Sequence, residues 1–353
     1  MLEPSSRKLE IDLLKTLGIL AVVMIHCLRN YWDPNFTAAE LWIGQMLRFG
    51  VPAFLACSGY LYAGSRPSWS SLVPRFQRIL IPYLAASLCA FALTLWLGSF
   101  NTPPAPLLDA IAGTTSSDTP VFRTAISLAL DLLLGNAFGA YYYVLMICLF
   151  VMMTPLIHGM EPKSLSRLCL MALAAQAFFE SGLWFFNDFF WHVRNPALWA
   201  GYFLTGWWIR VHLDSISRIV TSFRKRIIGG ALFITLSCAT LLAFETQGPL
   251  PREVIQLAAW LCIYSTLGFL FAVGCGRPTQ SVWLMRVSDM TYTIYLFHLF
   301  ILYVLRRQID FENQEFYAFF ILATFSISLA GPLSLGLGLR TLFGKRTRLW
   351  IGG

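Results

Sequence analysis

Charge is scarce in this sequence. Asp, Glu, Lys and Arg make up 12% of its 353 residues, about half the share usual in soluble domains. Neither a water-soluble globule nor a disordered chain fits so few charges beside so much apolar surface. Paired cysteines are missing as well. Cys27, Cys57, Cys89, Cys148, Cys169, Cys238, Cys262 and Cys275 stand alone within or at the ends of apolar runs. No Cys-x-x-Cys and no Cys/His zinc spacing occurs, so the cysteines read as small buried hydrophobes and no metal is expected. Nor is there an internal repeat of the transporter kind, which weakens a simple alternating-access reading.

What the chain has in abundance is apolar sequence. Hydrophobic residues reach 57%, with a mean hydropathy of +0.63. A helix crosses the hydrocarbon core with roughly 20 apolar residues. Ten such runs are predicted, at about 11–30, 41–63, 79–98, 141–158, 167–186, 197–212, 226–244, 254–274, 288–306 and 317–340. None alternates as a membrane β-strand does. The expected fold is therefore all-α, a polytopic membrane protein of about ten transmembrane helices forming one domain over 1–353.

Alternating spans put most basic residues on one side, among them Arg7, Lys8, Arg75, Arg78, Arg224, Lys225 and Arg226, and most carboxylates on the other. Positive-inside bias makes the basic side cytoplasmic, with both termini there. The net charge of +8 is thus a topology signal, and no nucleic-acid partner is expected. Leu17–Ile25 behind its basic flank has the outline of a secretory signal. The span around it carries Lys15 and His26 and is followed by further spans, so it reads as a retained first span. A long outer loop covers about 99–140. It holds Pro103-Pro104-Ala105-Pro106, a polar stretch Thr114–Thr119, and a helix expected over Val121–Leu134 at the outer interface. Loops of that length are lids, binding elements or disordered.

Ionisable groups inside spans are costly, so each asks for a reason. In the first span Asp12, Lys15, His26, Arg29 and Asn30 fall on one helical arc of about 100°. Lys15 and His26 are separated by roughly 16 Å along the axis, with Lys15 at the cytoplasmic mouth. In the second span Gln45, Arg48, Pro52, Gly59 and Tyr62 form a stripe beside Ser58. Arg48 is expected well inside that span, facing a cavity or a carboxylate. Glu180, one turn beyond Gln176 on the same face of the fifth span, is a plausible partner, and a purely structural ion pair is the plainer alternative. Arg75 and Arg78 precede the third span, either as topology charges or as a phosphate clamp. Tyr141-Tyr142-Tyr143 fits an interfacial aromatic belt or a sugar-stacking surface. Ser288, Thr291, Tyr292, Tyr295 and His298 make a polar seam in the ninth span.

These residues carry a family resemblance. Arg7-Lys8-Leu9-Glu10-Ile11-Asp12-Leu13-Leu14-Lys15 with His26 eleven residues on resembles the opening of the acyltransferase-3 family of integral membrane acyltransferases. Phe49-Gly50-Val51-Pro52-Ala53-Phe54 leading to Ser58-Gly59-Tyr60-Leu61 is similar to a further motif, as is Arg75-Phe76-Gln77-Arg78-Ile79 with Pro82-Tyr83. Tyr142-Tyr143-Val144-Leu145 with Thr154-Pro155-Leu156-Ile157 follows, then Gly201-Tyr202-Phe203-Leu204-Thr205-Gly206, which looks like the family's Phe-x-x-Gly turn. Last comes Ser288 with Thr293-Ile294-Tyr295-Leu296-Phe297-His298. The likeness spans almost the whole chain in order. Lys15 stands where the family usually has Arg, and Tyr142 where it has Trp. No soluble esterase-like domain is expected beyond the membrane part.

The resemblance implies an O-acyltransferase of a bacterial cytoplasmic membrane. It would move an acyl group, usually acetyl, from acetyl-CoA or another acyl-CoA to a carbohydrate hydroxyl. Lys15, Arg75 and Arg78 are then expected to hold the donor phosphates. His26 is the expected general base or transient acyl acceptor, with Arg48 and Glu180 beside it. Tyr142, Tyr143, Tyr295 and His298 are expected on the acceptor. The same polar seams would suit an exporter of a glycan or a lipid-linked sugar, and a membrane sensor or scaffold is a third reading.

Overall fold

The computed structural model describes residues 7–29, 37–65, 67–97, 120–180, 192–244, 251–279, 281–308 and 316–344. The expected loop segment 99–119 and Asn30 lie outside them. The described residues are almost wholly helical, with no strand among them beyond an isolated bridge between Lys8 and Pro278. In chain order the helices are α1 Leu9–Cys27, α2 Ala38–Leu47, α3 Gly50–Gly64, α4 Leu72–Leu97, α5 Pro120–Leu134 and α6 Tyr142–Ile157. Then follow α7 Pro162–Glu180, α8 Ala197–Val211, α9 Leu213–Phe244, α10 Arg252–Gly274, α11 Val282–Gln308 and α12 Tyr317–Phe343.

Among the described residues seven helical stretches are long and apolar enough to cross a membrane: Ala38–Gly64, Trp69–Leu93, Gly139–Ile157, Leu213–Ala243, Val254–Gly274, Val282–Arg306 and Tyr317–Phe343. The protein is an all-α polytopic membrane protein. Three expected spans fall short of that standard for plain reasons. α1 carries Glu10, Asp12 and Lys15, α7 carries Lys163, Arg167 and Glu180, and α8 has 15 residues. A helix of that length rises about 22 Å, less than a hydrocarbon core of about 30 Å.

α1 is the hub, packing on α3, α10, α11 and α12. Ile19 and Val23 are fully buried there, and the N-terminal end is tied down by Leu9 N–H donating to the Arg277 carbonyl at 3.0 Å. At the other end Arg306 Nη2 donates to the carbonyls of His26 (2.7 Å) and Leu28 (2.9 Å). A cation there satisfies the orphan carbonyls of a helix C-terminus and complements its dipole.

The second expected span is not one continuous helix. It breaks at Arg48 and Phe49, between α2 and α3. Pro52 is the cause: in an unbroken helix its ring would collide with the carbonyl of residue 48, whereas the first turn of a new helix accepts it. Arg48 consequently sits at a helix junction rather than in a helix interior.

The Gly201–Gly206 motif is also not a turn. Both glycines lie inside α8, where they permit close helix packing. A Cβ on Gly206 would run into the Ala56 backbone, and one on Gly59 into the Phe203 backbone. α3 and α8 therefore touch backbone to backbone, as small residues allow between membrane helices.

Candidate active site

The polar arc of α1 divides in two. Its N-terminal end is structural. Asp12 accepts from Arg7 Nη2 (2.7 Å) and Nε (3.1 Å), from Thr279 Oγ1 (2.7 Å) and from Ser288 Oγ (2.6 Å). Arg7 Nη1 also donates to both oxygens of Asp289, at 3.0 and 3.2 Å. One buried carboxylate thus fastens α1 to the start of α11, and its lone pairs are spent on that task.

Lys15, one turn further along α1, opens into a cavity of about 260 Å³ with Tyr62, Tyr143, Asp289, Tyr292 and Tyr295. No hydrogen bond or ion pair among the described residues engages its ammonium. Arg75, at the start of α4, lies beside this cavity. Its guanidinium stands 5.0 Å from the Tyr62 ring centroid and donates to Ser65 Oγ at 3.1 Å, while its buried Nη1 has no partner. Arg78 is exposed one turn on.

His26 opens into a second cavity, of about 560 Å³. Arg48, Tyr142, Glu180 and Tyr295 line it too, so five residues singled out in the sequence, on α1, α6, α7, α11 and the α2–α3 junction, converge there. Arg48 and Glu180 share this wall without forming an ion pair. Arg48 Nη1 donates instead to Gln45 Oε1 at 3.1 Å. Trp199, and Tyr202 of the Gly201–Gly206 motif, neither expected at the site, complete an aromatic wall with Tyr142, whose ring lies 5.6 Å from that of Trp199. Their spacing of three on α8 was a usable signal, since it puts both on one helix face.

Tyr295 belongs to both cavities. Its hydroxyl donates to the Ala140 carbonyl. Tyr141 returns the contact from the opposite strand of chain, donating to the Leu296 carbonyl at 2.5 Å. These paired bonds lock α11 to the residues preceding α6 and hold the Tyr295 ring in place. Tyr143, expected on the acceptor, faces the Lys15 cavity. His298, expected there too, lines neither of the two cavities and is fully buried. Its ring centroid is 5.4 Å from that of His26.

The end of α5 is braced by polar contacts. Arg194 Nε donates to the Leu134 carbonyl at 2.8 Å, capping α5, and Asn136 Nδ2 donates to Asp131 Oδ1 at 2.9 Å. Burial pushes the Asp131 carboxyl up to about 6, against the opposing pull of Asn136 and Arg194. The eight cysteines are all unpaired, and no cluster of metal-ligating side chains occurs among the described residues.

The family model described as an acyltransferase domain matches residues 8–335. No curated protein and no solved structure matches the chain. With nearly its whole length matched, the chain belongs to that acyltransferase family, the one its motifs resemble.

Proposed function

We propose that this membrane acyltransferase moves an acyl group, most simply acetyl, from cytoplasmic acyl-CoA to a hydroxyl of a carbohydrate or cell-surface glycan. The observation that carries the reading is the abutment of two cavities at Tyr295, one holding Lys15 and the other His26. A two-substrate transfer needs such an arrangement: separate entries and one meeting point.

In this reading both termini and the basic loops face the cytoplasm of a bacterial cell. Lys15 and Arg75 bind the donor phosphates, with Arg78 at the mouth. The uncommitted Lys15 ammonium and the unpartnered Nη1 of Arg75 suit an anion. A cavity of about 260 Å³ suits the slender thioester arm, leaving the nucleotide outside. The arm then reaches toward Tyr295. The acceptor occupies the larger cavity, where Tyr142, Trp199 and Tyr202 offer flat faces to a sugar ring.

His26 acts as general base. It takes the proton of the acceptor hydroxyl as that oxygen attacks the thioester carbon. The carbon–sulfur bond breaks, and the departing thiolate recovers the proton from the imidazolium. Arg48 faces the same cavity and stabilises the negative charge that develops on the carbonyl oxygen. Glu180 balances the imidazolium while it exists.

Purified protein given acetyl-CoA and candidate glycan acceptors should release free coenzyme A only when an acceptor is present. The acceptor should gain the mass of one acetyl group. A protein that merely moved a glycan across the membrane would release none, and that result would overturn the reading.

A further inference from the structure

We propose that the bend of α9 at Phe223 binds the headgroup phosphate of an anionic phospholipid, with Lys225 and Arg226 as its cations. The proposal is independent of the acyl-transfer reading, since neither residue lines the Lys15 cavity or the His26 cavity.

The depth of the site follows from hydropathy. α9 has 32 residues, so it rises about 48 Å, well past a hydrocarbon core of about 30 Å. From Ile227 to Phe244 it carries no Asp, Glu, Lys or Arg. That stretch rises about 27 Å and by itself matches the core. Arg224, Lys225 and Arg226 stand at its end, at the level of lipid phosphates. Helical geometry fails one residue before them, at Phe223, with φ −112° and ψ 18°. Ile219 and Phe223 are both exposed, and their spacing of four puts them on one helix face. Exposed apolar residues beside cations are the composition of a segment at the headgroup boundary.

The bend is fixed in place by its neighbours. Arg224 Nη2 donates to the Cys275 carbonyl at 2.5 Å, fastening it to the end of α10, and Val220 is buried against that end with Phe271 and Cys275. A recess of about 450 Å³, lined by residues 221–226, opens at this point. Thr221 spends its hydroxyl hydrogen on the carbonyls of Ser217 (2.7 Å) and Arg218 (3.0 Å). Among the described residues, the Ser222 hydroxyl and the Lys225 ammonium have no hydrogen-bond partner, and no ion pair engages Arg224, Lys225 or Arg226. The Arg226 guanidinium stands 5.8 Å from the Phe223 ring centroid, a cation–π contact that leaves its N–H groups unspent. Asp214, the only carboxylate of α9, is ten residues before Arg224, about 15 Å along the helix. Uncommitted cations and a hydroxyl around one recess match the acceptor oxygens and charge of a phosphate group. Positive-inside bias accounts for basic residues on this side of the membrane in general. It accounts neither for the pinned bend nor for the recess.

The test titrates the purified full-length protein in detergent with dioleoylphosphatidylglycerol or dioleoylphosphatidylcholine and counts bound lipid by native mass spectrometry. The unaltered protein should hold the anionic lipid about tenfold or more tightly than the zwitterionic one, since each cation near an anionic lipid contributes roughly fivefold. Lys225→Gln/Arg226→Gln should lower that preference by about tenfold or more. Arg224 is left in place because it builds the bend. Lys163→Gln/Arg167→Gln removes the same charge from exposed positions on α7 and should leave the preference within about twofold, being remote and screened. Equal losses in the two double variants would reduce the effect to overall charge. Together with an unaltered protein that shows no lipid preference, that result would overturn the proposal, and so would either alone. A soluble source of phosphate is tested by adding millimolar inorganic phosphate or coenzyme A without lipid. Retention of either that Lys225→Gln/Arg226→Gln abolishes would assign the recess to a free phosphate and overturn the lipid. Should the double variant not fold, as judged by gel filtration, each single variant makes the same comparison with a loss of roughly fivefold expected.

Discussion

Lys15 and His26 lie on one face of α1, roughly 16 Å apart along its axis, and open into different cavities that, among the described residues, share Tyr295 alone. One rigid helix thus spaces the proposed anion-binding group from the proposed base. Neither residue can drift relative to the other, because both ends of α1 are pinned, by Asp12 at one and Arg306 at the other.

Substitutions on α1 should therefore separate kinetically. Lys15→Ala is expected to raise KM for the acyl-CoA about tenfold or more and leave KM for the acceptor within about twofold, the signature of lost ground-state binding. His26→Ala should lower kcat by about 10²-fold or more with the protein still folded in the membrane. Coenzyme A release under varied donor and acceptor gives both answers. An unchanged donor KM would remove Lys15 from the phosphate site.

Tyr295 should act as a partition. Tyr295→Ala merges the two cavities and admits water to the thioester. Coenzyme A release in the absence of any acceptor is expected to rise several-fold. Tyr295→Phe keeps the ring and loses only the bond to the Ala140 carbonyl, so it should cost about 1 kcal/mol of stability without that leak. Equal acceptor-free release by both variants would argue against a partition.

Gly59→Ala and Gly206→Ala should each destabilise the protein by about 1–3 kcal/mol, the usual penalty of overpacking. The sign is the informative part. In an ordinary helix interior the same change stabilises by about 1 kcal/mol. Here the new methyl meets the backbone of the facing helix, which cannot move aside. Thermal unfolding in detergent, with Gly229→Ala on an open face as comparison, measures the difference.

Asp131 should leave a mark on the pH dependence of stability. Its carboxyl is pushed up to about 6 in the folded protein, against about 3.9 when unfolded. The folded state therefore holds the proton more tightly. That contribution is full below about pH 4 and is lost as pH rises through about 6. Asp131→Asn should flatten the corresponding fall in melting temperature between those limits. A slope unchanged by the substitution would assign it to other groups.

The legible part of the molecule was the part written in charge and hydropathy. A scarcity of ionisable residues exposed a membrane fold, and it made His26, Arg48 and Glu180 conspicuous enough to be singled out before their common cavity was visible. Contacts between distant segments were less legible. Pro52 announced a helix break only to a reader checking what residue 48 would suffer. The motif glycines at 201 and 206 looked like a turn because a glycine's sequence does not reveal whether it serves conformation or close packing. Asp289 went unremarked because its worth lies in meeting Arg7 from the far end of the chain. Trp199 is one of many aromatics that could meet lipid instead, and the motif around Tyr202 does not say which of its side chains faces a cavity.

The shared wall at Tyr295 also bears on electrical insulation. A continuous aqueous passage through a membrane protein would short-circuit the proton gradient, whatever chemistry it served. In the proposed reading, donor and acceptor recesses divided at Tyr295 form no such passage. Tyr295, which lines both, would then serve the proposed meeting point of the substrates and the seal against ion leakage alike.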